Sequence, residues 1–109
     1  MRDDRERLLD IQEAIKQIEK YTIRGKQVFL SDELIQNWVI HHLQIIGEAS
    51  NRLSKDFREK HPGISWTDII GMRHILVHNY FDVDLKIVWT TVEKDLSMLK
   101  QHVNAILKT

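Results

Sequence analysis

Residues 71–84 read Gly-Met-Arg-His-Ile-Leu-Val-His-Asn-Tyr-Phe-Asp-Val-Asp, and Arg73, His78 and Tyr80 in that stretch form an Arg-x4-His-x-Tyr pattern. These side chains suit phosphodiester chemistry. A guanidinium pairs with a phosphate bidentately and offsets charge that builds up in a transition state. Histidine titrates near neutrality and can move a proton to or from a ribose 2′-hydroxyl or a leaving 5′-oxygen. On one regular helix, at ~100° per residue, Arg73 and Tyr80 share a face while His78 stands ~140° from Arg73. Arg73 and His78 therefore meet at one atom only if the helix deforms near Asn79 or if two copies of the chain share their groups. Each residue also has an ordinary structural reading. A surface arginine is commonly a solvated charge, a lone histidine a packed ring, and a tyrosine beside Phe81 a core edge with a wet hydroxyl. Spacing by itself does not choose between these.

Two further groups of residues bear on the chemistry. His74 and His78 are one turn apart, and His41 and His42 lie in another segment. A histidine pair at i, i+4 can chelate a divalent cation, but no glutamate stands between them and the chain has no cysteine, so no metal site is expected. Glu48 follows Ile45-Ile46-Gly47 within an apolar run. It is either a surface carboxylate or the partner of a buried cation such as Arg73, with small Gly47 and Ala49 letting another helix approach.

Four segments must position these groups. The first, from about Asp3 to Arg24, carries Leu8, Ile11, Ile15, Ile18 and Thr22 at spacings of three and four, an amphipathic helix with Gly25 as its C-terminal cap. The second starts at Ser31 and can continue to Lys60, where Pro62 stops it. Thirty helical residues would span ~45 Å. Its stretch from Leu34 to Ile46 is apolar around most of its circumference and needs neighbours on two sides, one of which could be a second copy of the chain. The third opens with Ser65-Trp66-Thr67-Asp68, resembling a capping box, and runs to about Tyr80. The fourth begins near Asp84 with a stripe of Leu85, Val88, Val92, Leu96, Leu99, Val103 and Ile106. Short connections between helices make an antiparallel all-α bundle of four to five helices the economical fold.

The 109 residues fit one domain, 1–109. With 42% apolar and 29% charged residues, the composition is too apolar for disorder and too interrupted by charge for a membrane span. The N-terminus has no apolar core of a signal peptide, and the absence of cysteine excludes disulfide and thiol chemistry, so a cytoplasmic protein is expected. Sixteen basic residues balance sixteen acidic ones. Any nucleic-acid contact must therefore come from a local patch or a few well-placed cations. Arg52, Lys55, Arg58 and Lys60, interspersed with Asp56 and Glu59, offer one mixed candidate face.

Taken in order, Ile46-Gly47-Glu48-Ala49, His61-Pro62-Gly63-Ile64-Ser65-Trp66, Gly71-Met72-Arg73 through His78-Asn79-Tyr80, Val83-Asp84 and Val88-Trp89 resemble the HepT-like proteins of the HEPN superfamily. These are the toxins of HEPN–MNT (type VII) toxin–antitoxin systems. The resemblance implies a homodimer of helical bundles and a metal-independent endoribonuclease with no cofactor. Its Arg-x4–6-His motif would lie at the dimer cleft, so two protomers would pool their groups. It assigns the catalytic pair to Arg73 and His78 and a phosphate contact to His74. Tyr80 becomes the acceptor of AMP groups transferred by a partner MNT nucleotidyltransferase, which silences the toxin. Glu48 is carried as a supporting residue of the site. Asn79 stands where the family often has Asp, which removes any acidic role there.

The expected reaction is attack of a ribose 2′-hydroxyl on its own phosphate in RNA, with tRNA as the expected substrate. It leaves a 2′,3′-cyclic phosphate, with His78 as acid/base and Arg73 stabilising the developing charge. The alternative is a non-catalytic helical adaptor that binds a nucleotidyltransferase or a nucleotide, which would have no need of the Arg73/His78 pair. A DNA-binding helix-turn-helix protein ranks third, because no basic recognition helix is present.

Overall fold

The structure, a computed structural model, describes residues 3–78 and 83–108, with the side chains of residues 73–78 outside the description. Every regular element among the described residues is helical, as the apolar spacing predicts. Helix α1 (Asp4–Thr22) buries Leu8, Ile11, Ala14, Ile15 and Ile18, and Asp3 caps it by accepting from the Glu6 N–H. Helix α3 (Glu33–Asn51) runs antiparallel to α1. The Asp4 side meets Ser54 at one end, and the Trp38 indole donates to the Gln17 carbonyl at 2.6 Å toward the other. Helix α5 (Trp66–His78) packs on a different side of α3.

The last helical run is α6 (Leu85–Thr90), a π-helical turn (Thr91–Asp95) and α7 (Leu96–Leu107). It lies along α1, where Gln12 bonds Asn104 at 2.9 Å and Lys100 pairs with Glu19 at 2.8 Å. Its buried line of Val88, Val92, Leu96, Leu99 and Val103 follows the sequence stripe. The two consecutive steps of four, Val88 to Val92 to Leu96, coincide with the π turn. The wider i→i+5 pattern there absorbs the drift that would rotate the stripe off the core.

Three features differ from the sequence reading. The stretch after Gly25 is a short helix, α2 (Lys26–Ser31), whose Phe29 is fully buried 5.4 Å from the Trp89 ring. Gly25 adopts φ +99° and both closes α1, donating to the Thr22 carbonyl, and opens α2, accepting from Phe29. The N-cap of α3 is Asp32, not Ser31, because its carboxylate accepts from the N–H groups of Leu34 and Ile35. The expected helix to Lys60 is broken after Asn51. Ser54 caps a separate α4 (Lys55–Lys60), and Leu53 turns into the core.

The apolar circumference of α3 finds both its neighbours within the chain. Ile35, Val39, Ile40, Leu43 and Ile46 are buried, while Leu34 stays 81% exposed. Among the described residues, no helix is long and apolar enough to cross a membrane.

Candidate active site

Helix α5 is placed by its N-terminal approach. The indole of Trp66, itself buried, donates to the His61 carbonyl at 3.1 Å, and Phe57 packs against both His61 and Trp66. That clamp fixes the His61-Pro62-Gly63 turn. A Cβ at Gly63 would come within 3.3 Å of the exposed His102 ring on α7, so the glycine lets the turn lie close against that side chain. From Trp66 the helix continues without interruption to His78, so the backbone positions of Arg73 and His78 belong to one regular α-helix.

Register then decides what can share a face. Positions 67, 71, 74 and 78 follow one another at steps of four, three and four, so His74 and His78 continue the line of Thr67 and Gly71. Thr67 and Gly71 are exposed and line a groove of about 660 Å³ between α5 and the α6–α7 run. Leu43, Ile46, Met72, Leu96 and Leu99 form much of its wall, and the carboxylates of Asp68, Asp84 and Asp95 stand around it. Among the described residues of its lining the acidic groups are these three carboxylates, and any permanent cation for a phosphate backbone must come from the Arg73–His78 stretch, whose side chains lie outside the description. The Arg73 position lies ~140° around the helix from His78. Within one chain, then, regular backbone does not bring the pair onto one face.

Glu48 is half-buried on α3 and accepts from Arg52 Nε at 2.6 Å, one turn along the same helix. The expected Glu48–Arg73 contact cannot be read from described atoms, because the Arg73 side chain lies outside the description. Tyr80 and Asn79 lie wholly outside the described residues. His41 is exposed and His42 buried on α3, their rings 5.1 Å apart, and the Nδ1 of His42 is 2.7 Å from the Trp38 carbonyl. They are a packing pair on another element from His74 and His78.

The basic face at 52–60 loses much of its charge to its own acids. Arg52 pairs with Glu48, and Lys55 lies 3.9 Å from Glu59. Sequence reading passed over the aromatic cluster where α1 meets α3, centred on Tyr21 and Trp38, because neither ring belongs to a recognisable motif.

The fold is an all-α bundle in which Arg73, His74 and His78 belong to one uninterrupted helix beside a groove. The family model described as "Ribonuclease HepT-like" matches residues 11–106, and the chain belongs to this HepT-like ribonuclease family, of the HEPN type. It is similar to "Probable ribonuclease HepT" of Thermococcus cleftensis, 43% identical over 100 residues covering 91% of each chain. It is also similar to two proteins of Methanocaldococcus jannaschii. "Putative RNase MJ1380" is 36% identical over 96% of this chain and 97% of the relative. "Putative RNase MJ1216" is 35% identical over 98% of this chain and 89% of the relative. No solved structure matches the chain.

Proposed function

We propose that the protein is a metal-independent endoribonuclease toxin that cuts RNA, tRNA in the first place, in the cytoplasm. The observation that carries this reading is the regular α5 helix of a HepT-like chain, which bears Arg73 and His78 on different faces. A homodimer answers that separation, since the arginine of one copy can then stand beside the histidine of the other. His78 takes the proton from the ribose 2′-hydroxyl as its oxygen attacks phosphorus. The bond to the 5′-oxygen breaks, and that oxygen receives a proton from imidazolium, which the partner's copy of the same histidine can supply. Arg73 holds the negative charge of the five-coordinate phosphorus, and His74, on the His78 line, contacts the neighbouring phosphate. The products are a 2′,3′-cyclic phosphate and a 5′-hydroxyl. An MNT nucleotidyltransferase silences the enzyme by adding AMP to Tyr80.

Total tRNA incubated with the purified chain in excess EDTA tests this. Fragments ending in 2′,3′-cyclic phosphate are expected. Intact tRNA, or cleavage that appears only on adding a divalent metal, would overturn it.

A further inference from the structure

The chain is neutral overall, and the groove beside α5 is apolar with carboxylates around it. Among the described residues, cations that could attract RNA over a distance lie elsewhere. They are found where α1 ends. Between residues 14 and 31 the chain carries Lys16, Lys20, Arg24 and Lys26 against a single acid, Glu19. The Glu19 carboxylate is neutralised by Lys100 at 2.8 Å. All four cations are exposed, and among the described residues none has an ion-pair partner. On the face at 52–60, by comparison, two of the four cations, Arg52 and Lys55, are matched by Glu48 and Glu59, and Asp56 adds a further acid.

An aromatic ladder lies beside these cations. Lys20 Nζ and the Arg24 guanidinium stand 5.7 and 5.3 Å from the centre of the Tyr21 ring. Tyr21 meets Trp38 edge-on at 5.3 Å, Trp38 meets His42 at 4.5 Å, and His42 meets the exposed His41 ring at 5.1 Å. The Trp38 indole is held by its bond to the Gln17 carbonyl, and His42 Nδ1 lies 2.7 Å from the Trp38 carbonyl, so the centre of the cluster is fixed before any ligand arrives. Unpaired cations beside aromatic rings are what a single strand of nucleic acid needs. Phosphates track the charges, and bases stack on ring or guanidinium planes regardless of sequence.

We infer that Lys16, Lys20 and Arg24 with the accessible rings of Tyr21, Trp38 and His41, the last two packed on the buried His42, form a docking platform for a single-stranded stretch of the RNA substrate. The inference rests on the ribonuclease reading above. The platform belongs to the α1 side of α3, whereas α5 packs on another side, so it holds a part of the RNA remote from the scissile phosphate. Its contribution is to capture of long substrates and not to bond cleavage.

The test is binding of the full chain to a labelled 2′-O-methyl oligoribonucleotide, which cannot be cleaved, by fluorescence anisotropy at several salt concentrations. The triple variant Lys16→Gln/Lys20→Gln/Arg24→Gln changes only exposed side chains and should keep the wild-type melting temperature. Its affinity should fall about tenfold or more, and the slope of log affinity against log salt should shrink by about 2, at ~0.7 per lost phosphate contact on a single strand. Tyr21→Leu should weaken binding with the slope unchanged. In cleavage assays the triple variant should raise KM for tRNA while leaving kcat, and turnover of a dinucleotide, unaltered. Equal oligonucleotide binding by wild type and triple variant overturns the platform alone. Displacement of the RNA by poly-glutamate at equal concentration would assign the patch to an acidic protein instead. A wild-type chain with no affinity for RNA removes the ribonuclease reading as well.

Discussion

The carboxylate of Asp4 accepts both the backbone N–H of Ser54, at 2.8 Å, and its hydroxyl, at 2.7 Å, across fifty positions of sequence. Ser54 in turn caps α4 by accepting from the Phe57 N–H. One side chain at the start of α1 thereby fixes where the chain leaves α3 and how α4 leads into α5. Asp4→Ala should cost about 1–2 kcal/mol, the range for a hydrogen-bonded charge and a disturbed cap. Chemical denaturation with an unchanged m value checks this, and Asp4→Asn should recover part of the loss.

Gly25 sits at φ +99° and ψ 171°, a region that side chains with a Cβ rarely enter. Nothing lies within 4 Å of where a Cβ would be, so backbone conformation alone sets the cost. Gly25→Ala should lower stability by about 1–3 kcal/mol. Because Gly25 positions α2, the Phe29–Trp89 contact should loosen, which Trp fluorescence would register. Wild-type stability in this variant would show that the turn relaxes without strain.

These two residues mark where sequence reading succeeds and fails. The α1 stripe was legible because Leu8, Ile11, Ile15 and Ile18 keep one period and all are buried. The α3–α4 break was not, because no glycine or proline lies between Asn51 and Lys55. The stop coincides with the burial of Leu53 and with Ser54 held by Asp4, tertiary contacts that local spacing cannot reveal. Helix α2 was hidden by Gly25, which reads as loop, although Phe29 anchors the segment in the core. The π turn left a trace in the consecutive steps of four along the last stripe. At the site, the residue types were legible only as a candidate set for phosphodiester chemistry. A meeting of Arg73 with His78 was not legible, since one regular helix separates them.

A homodimer should be the working form. Intramolecular packing of α3 on α1 and α5 removes the simplest motive for it, the all-round apolar stretch, but leaves Leu34, Ile87 and Met98 exposed at 81%, 65% and 59%. Sedimentation at micromolar concentration should give twice the 13.0 kDa chain mass. A monomer at that concentration, fully active on RNA, would place both catalytic groups within one chain.

Arg73→Ala and His78→Ala should each reduce RNA cleavage ~10²–10⁴-fold and relieve growth arrest without unfolding the bundle. If two copies pool their groups, mixing the two inactive variants should restore a measurable part of the activity, because one composite site then keeps both residues. Mixtures as inactive as either variant would mean that cleavage needs both copies of His78 or a site confined to a single chain. Activity retained in both variants would move the chemistry off this pair.

Tyr80 follows α5 in sequence, seven positions after Arg73. Attaching AMP to its phenol would form a phosphodiester to the tyrosyl oxygen, release pyrophosphate from ATP, and leave a negative charge and an adenosine next to the catalytic motif. That phosphate would compete with RNA for Arg73, and the nucleoside would block the approach sterically, so inhibition needs no change of fold. The competing account is that the nucleotidyltransferase inhibits by covering the site. Mass spectrometry after co-expression with an MNT nucleotidyltransferase separates them. Additions in steps of AMP that map to Tyr80, disappear in Tyr80→Phe and accompany loss of cleavage are expected. Because Tyr80→Phe keeps the ring, it should remain a nuclease and become resistant to silencing. An unmodified chain held inactive in a tight complex would establish masking in place of modification.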